Sequence, residues 1–374
     1  MLPLNNPSVV SPGDAGHLRP DDLVVGVLAA GRARAYPWWI LANHHIANDV
    51  LILSSDPKGY LLSSETNSAG RPLAPWYETV PLLVTLCEHC AGCSAYMPVF
   101  EDAPENPLIF IFAERSSSAY SSVGTYTISD VETQSRWHPF TGRAYSGPLE
   151  GRRLKRIPAF IERWDTWRRE FPKTDVAFAA EEMRTRFHVR QLPRVETDTA
   201  HTSTLVARRQ APERIDHRLD RNELVLGIGN SGGDKSIAYT LSYLKKAGGV
   251  HQFNFDGEPC LLLASGAYRG FAFSRRVNGE ILDFERAPGD AFRVRDHISH
   301  SIWNFVGEAT SGGFAGSRLE MIPDSYVSKW SDWSLAHPEA AIGDRVAPVE
   351  PRKDRVEDRL LQQAAAHLEP RSQQ

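Results

Sequence analysis

Asp22-Leu-Val-Val-Gly-Val-Leu28 returns in the second half of the chain as Glu223-Leu-Val-Leu-Gly-Ile-Gly229, and this echo decides how the whole sequence is read. An acidic residue followed by a short run of β-branched and leucine side chains around one glycine signals a buried strand. Its recurrence marks an internal repeat, which has to be settled before any fold class. Farther along, Asp130, Ser135, Trp137, Gly142, Gly147, Gly151 and Leu154 are followed in the same order by Asp296, Ser301, Trp303, Gly307, Gly312, Gly316 and Leu319. Each copy closes on a Trp-x-x-Trp pair, Trp164 with Trp167 and Trp330 with Trp333, and then on Pro172 or Pro338. The expectation is an α+β, β-rich chain of two homologous units with strongly bent sheets or partial barrels, related by a pseudo-twofold axis. The first repeat covers residues 1–180, a connector 181–220, the second repeat 221–345, and a C-terminal helix and tail 346–374.

Local signals fill in the units. Leu23 to Ala29, Arg32 to Tyr36, Leu82 to Leu86, Leu108 to Phe112 and Thr125 to Ile128 read as strands. Asn278-Gly279, between Phe271 to Val277 and Glu280 to Phe284, is the strongest two-residue hairpin signal. Pro37 suits the first helical position of Trp38 to Ile46, and Pro158 is read as introducing a second helix that carries Trp164 and Trp167. Val356 to His367 has the pattern of a short amphipathic helix.

The composition narrows the partners. With 42 Lys+Arg against 46 Asp+Glu, the signs interspersed, nothing draws the chain to nucleic acid or an anionic membrane. The densest basic cluster, Arg152, Arg153, Lys155 and Arg156, reads as a solvated face. No run is long enough to span a bilayer, and the first residues lack the cationic start and apolar core of a secretory signal, so a cytoplasmic location is expected. A small-molecule substrate is the expected partner, and the oligomeric state stays open.

Chemistry points to Cys87-Glu-His-Cys-Ala-Gly-Cys93, which leaves the Leu82 to Leu86 strand as a tight loop. Two cysteines separated by two residues present both sulfurs to one turn, so they suit one soft metal ion or a small redox disulfide. A ferredoxin-type cluster needs a fourth cysteine just downstream, and c-type haem needs a histidine where Ala91 stands. Cys260 falls opposite Leu82 in the repeat and is assigned to the core. His44 and His45 end the Pro37 helix, and the second copy has no histidine there, while Ser265 and Tyr268 replace Cys87 and Cys90. His44 and the two thiols are thus lost together, as expected for one site. Asp130, Thr133, Ser135 and Trp137 keep polar counterparts in Asp296, Ser299, Ser301 and Trp303, which favours a turn-building role. Glu132, replaced by Ile298, is a candidate acid, and His138 stands beside it.

Together, Asn6-Pro7, Asp21-Asp22, Arg34-Ala-Tyr-Pro37, His44-x-Ile46-x-Asn48-Asp49, Thr85-x-Cys87-x-x-Cys90, Asp130-x-x-Thr133-x-Ser135-x-Trp137 and Gly147-Pro-Leu-x-Gly151 resemble the bacterial domain-of-unknown-function family 3179. The resemblance continues through Phe273-Ser-Arg275, Trp303-Asn304 and Gly316-x-Arg318-Leu319. That family includes selenoproteins, which implies a reactive thiol site but no defined reaction. This chain departs from the pattern with His45, Glu88-His89 and Ala91-Gly92-Cys93, which add His45, His89 and Cys93 as potential ligands.

The first expectation is therefore a metal-dependent redox enzyme acting on a small substrate. Its metal set is His44, Cys87 and Cys90, joined by Cys93, His89 and His45, and its catalytic residues are Cys87, Cys90 and Glu132. Soft donors favour copper or zinc, and copper is favoured for redox work. The alternatives are a metal-binding or thiol redox-sensing module without turnover, and metal-free thiol–disulfide exchange through Cys87 and Cys90.

Overall fold

The computed structural model describes residues 2–53, 79–113, 126–178, 216–229, 235–289 and 291–345. Among these, strands dominate and form seven open sheets of two to five strands, none closed on itself. Leu23–Ala29 is a strand with the bounds its sequence implies, flanked antiparallel by Arg32–Pro37 and Ala159–Arg163. Asp175–Phe178 then adds in parallel to Arg32–Pro37. In the second half, Leu224–Gly229 lies antiparallel between Ser236–Thr240 and Ser325–Lys329, and Ala341–Ile342 adds in parallel to Ser236–Thr240. The meander Ile46–Ile52, Thr79–Cys87, Gly92–Met97 has the strand order of Val250–Phe255, Glu258–Ser265, Arg269–Ser274.

Local chemistry is repeated with the strand order. The Asp130 carboxylate accepts from the Thr133 hydroxyl (3.0 Å) and the Trp137 indole (2.8 Å), and Thr133 meets the Ser135 hydroxyl at 2.7 Å. Asp296 accepts from the Ser299 hydroxyl (2.8 Å) and the Trp303 indole (3.0 Å), and Ser299 meets Ser301 at 2.6 Å. Both tryptophans are fully buried, so each indole N–H needs the acceptor that the aspartate supplies. Asn278 and Gly279, both at positive φ, turn the hairpin between Arg276–Val277 and Glu280–Ile281, as a primed two-residue turn requires.

Pro158 corrects the sequence reading. It precedes a strand, Ala159–Arg163, and the helix begins only at Trp164. Ala159, Phe160 and Ile161 fill an edge position beside Leu23–Ala29, and the apolar burial gained there outweighs the proline signal. The strand read over Leu108 to Phe112 starts at Phe110, and the one read over Thr125 to Ile128 runs from Ile128 to Asp130. The helix read over Val356 to His367, and the connector as far as residue 215, lie outside the described residues.

The core crosses between halves. One cluster joins Trp164 and Trp167 to Phe271, Phe273 and Trp303. Another joins Cys87, Cys90 and Trp137 to Tyr326, Trp330 and Trp333. Each half therefore completes the hydrophobic core of the other. Among the described residues no helix is long and apolar enough to cross a membrane.

Candidate functional site

Cys87 is the last residue of Thr79–Cys87 and pairs with Gly92, the first of Gly92–Met97, so Glu88 to Ala91 form the turn of a hairpin. Ala91 takes φ +53, and its N–H reaches the Glu88 carbonyl at 3.3 Å. Gly92 is required by contact, because a Cβ there would stand 2.6 Å from the Val327 carbonyl oxygen. That approach lets the Lys329 N–H donate to the Cys90 carbonyl at 2.8 Å, fastening the turn to the Ser325–Lys329 strand of the other half.

Within the turn Cys87 and Cys90 are joined as a disulfide with their Cα atoms 5.2 Å apart. Both residues are 1% exposed. The Cys90 N–H donates to Cys87 Sγ at 3.2 Å, a contact that favours negative charge on that sulfur when the pair is reduced.

His45, rather than His44, leans on this hairpin. The Trp38–His44 helix ends one residue before His45, which takes the left-handed conformation at φ +60. Its carbonyl accepts from the Leu86 N–H (2.9 Å) and the Tyr126 hydroxyl (3.0 Å), and its buried ring donates from Nδ1 to the Leu86 carbonyl at 3.0 Å. That bond makes Nε2 the acceptor atom of the neutral ring. The ring packs on Phe112 and Tyr126, which are stacked on each other. His44 instead holds the Leu2 carbonyl through Nδ1 at 2.7 Å.

The other sequence candidates separate. Cys93 pairs with Leu86 and packs with it in a cluster that excludes Cys87, since neighbouring positions in a strand face opposite sides. Burial pushes the Cys93 thiol up to about 12, against the pull of Arg156. Burial also raises the Cys260 thiol, to about 11, in the core position expected for it. Glu132 accepts from the Ile109 N–H at 3.0 and 3.2 Å, closing a strand junction. His138 Nδ1 accepts from Phe140 and Thr141 N–H groups at 3.2 Å, a turn-capping role. Among the described residues no three His, Cys, Asp or Glu side chains stand as a group able to hold a metal ion. The six-residue metal set is not assembled, because His44 is drawn to Leu2 and Cys93 to the reverse face of the sheet.

The immediate surroundings of the disulfide are ionisable. Burial raises the Glu88 carboxyl, against the opposing charge of His45. Burial lowers His89, and the Lys329 ammonium lowers it further; burial also lowers Lys329 itself, against the pull of Asp332. The sequence reading missed Lys329 because it belongs to the other half. Its signal was the basic residue before each Trp-x-x-Trp pair, Arg163 and Lys329.

A family model described as "Protein of unknown function (DUF3179)" matches residues 3–53 and 78–342. No curated protein and no solved structure matches the chain.

Proposed function

The chain belongs to the DUF3179 family, proteins of unknown function, and from that premise we propose that it is a thiol–disulfide redox protein whose Cys87–Cys90 pair cycles against a small thiol. The observation that carries this reading is the bonded pair itself, closed within a single hairpin turn whose Cys90 N–H points at the Cys87 sulfur. In the reductive half-reaction a substrate thiolate attacks Cys87 Sγ, the Sγ–Sγ bond breaks, and Cys90 leaves as a thiolate that takes a proton. A second substrate thiolate then attacks the mixed disulfide, releasing the substrate disulfide and the Cys87 thiolate. Two substrate thiols lose two electrons and two protons, and the protein becomes a dithiol. The Cys90 N–H stabilises the Cys87 thiolate. The 1% exposure of both cysteines selects a small reactant over a folded protein.

Copper or zinc chemistry is the alternative that the residue types suggest, and it requires the reduced pair to recruit a further ligand such as His89. The matched strand orders and aspartate–tryptophan networks support a duplicated unit about a pseudo-twofold axis, with the thiol pair retained in one copy.

The test is capture of the intermediate. Cys90→Ser leaves Cys87 without its partner and should trap one equivalent of glutathione from a glutathione disulfide solution, seen by intact mass. Cys87→Ser should trap it more slowly. Capture by neither variant refutes the exchange.

A further inference from the structure

We propose that a cleft between the two halves, built from residues outside the Cys87–Cys90 hairpin, is a binding site for a small organic anion with an aryl body. The inference goes beyond the thiol reading and does not depend on it.

The cleft, open on one side, has a volume of about 740 Å³, within the range of pockets for small ligands. One wall is the Leu28 to Ala33 turn and the Trp164–Glu170 helix; the other comes from Ser265, Arg269 and residues 286 to 318 of the second half. Arg32, Arg169, Arg269, Arg286, Arg293 and Arg318 line it, against Glu170 and Glu308 alone among the described acids. Three of the six are neutralised locally. Arg32 faces Asp175 at 3.5 Å, Arg318 pairs with Glu308, and Arg269, only 5% exposed, is held by Glu162 at 2.5 Å and Glu170 at 2.7 Å.

Arg169, Arg286 and Arg293 have no carboxylate partner among the described residues. Arg169 reaches only the Thr166 hydroxyl, at 3.4 Å. The Arg286 guanidinium lies 4.0 Å over the Phe292 ring and donates to the Arg293 carbonyl at 3.4 Å. Partial desolvation lowers the Arg286 pKa. Beside these cations, Phe292 and Phe305 meet edge to face at 5.1 Å, and Phe305 meets Phe160 at 6.2 Å. Arg286 is thus braced on a ring while its remaining donors are available to a planar anion. The arginines select negative charge, the phenylalanines select a flat apolar body, and the volume of the cleft suits a small molecule.

The experiment is calorimetric titration of the full chain with phenyl phosphate, benzoate, inorganic phosphate and benzyl alcohol. At least one aryl anion should bind one to one, more tightly than inorganic phosphate or the neutral alcohol, and the tighter of the two identifies the phosphate or the carboxylate as the preferred head. Arg286→Gln with Arg293→Gln, both exposed positions, should weaken that binding by about tenfold or more. Arg169→Gln, on the opposite wall and equally exposed, gives an independent loss in the same direction. Arg136→Gln, outside the cleft, should leave the affinity unchanged. Absence of binding by both aryl anions, binding of the neutral alcohol as tight as theirs, or equal affinity in the Arg286/Arg293 double variant overturns the assignment.

Discussion

Gly26→Ala and Gly227→Ala place a methyl group where a tryptophan already lies. A Cβ at Gly26 would sit 2.0 Å from Cζ3 of Trp167, and one at Gly227 would sit 2.3 Å from Cζ2 of Trp333. Carbon atoms pack favourably at about 3.5 to 4.0 Å, so each ring has to retreat by more than about 1 Å. Neither glycine has a positive φ, so its backbone would accept alanine, which by itself would favour the strand by about 0.5–1 kcal/mol. Overpacking costs about 1–3 kcal/mol in a rigid core, and both rings are fully buried, which argues for the upper end. Trp167 also donates its indole N–H to Thr174 Oγ1 at 3.0 Å, and displacing the ring loses that bond, worth about 1 kcal/mol. The Trp333 indole N–H has no acceptor to lose. The net expectation is about 3 kcal/mol for Gly26→Ala and about 2 kcal/mol for Gly227→Ala. Urea unfolding at constant m-value measures both. A change below about 0.5 kcal/mol in either variant, or a larger cost at Gly227 than at Gly26, refutes the reasoning.

Two further outcomes follow from the same core. Trp164, 2% exposed in the cluster shared by both halves, should cost about 3–5 kcal/mol when replaced by alanine, read by chemical denaturation. His337 stacks on Trp333 at 4.1 Å, and burial lowers its pKa to about 4, against the opposing charge of Asp324. The unfolded chain binds this proton more readily, so the contribution is present above about 6.5 and is lost as pH falls through about 4. His337→Phe keeps a stacked ring and should flatten the fall of melting temperature over that window. Asp332, which burial raises to about 6, acts in the opposite sense and remains in the variant.

The strand Leu23–Ala29 was legible because a run of apolar residues around one glycine has few other homes, and Asn278-Gly279 because only a primed turn accepts two positive φ values in sequence. The tryptophan pairs were legible as helix-borne core residues, because their spacing puts both rings of each helix on one side. The cysteine pair was legible from its spacing, and which histidine stands beside it was not. Choosing between His44 and His45 depends on where the helix stops, and termination at His44 turns the next ring toward Leu86. Cys93 was misplaced because the register across the turn was unknown. Once Cys87 opposes Gly92, alternation sends Cys93 to the other face. Lys329 carried only the signal of a basic residue before each Trp-x-x-Trp pair, and the arginine cleft carried none, because both arise where one half packs into the other.

The central claim is that Cys87–Cys90 is a working redox couple rather than a structural staple. Its most direct test is equilibration of the full chain in glutathione buffers of graded poise, followed by alkylation and mass measurement of the free thiols. The account predicts a two-electron transition at a potential above about −300 mV, with both alkylated residues at Cys87 and Cys90. A disulfide that stays closed below about −300 mV, as structural disulfides do, would contradict it.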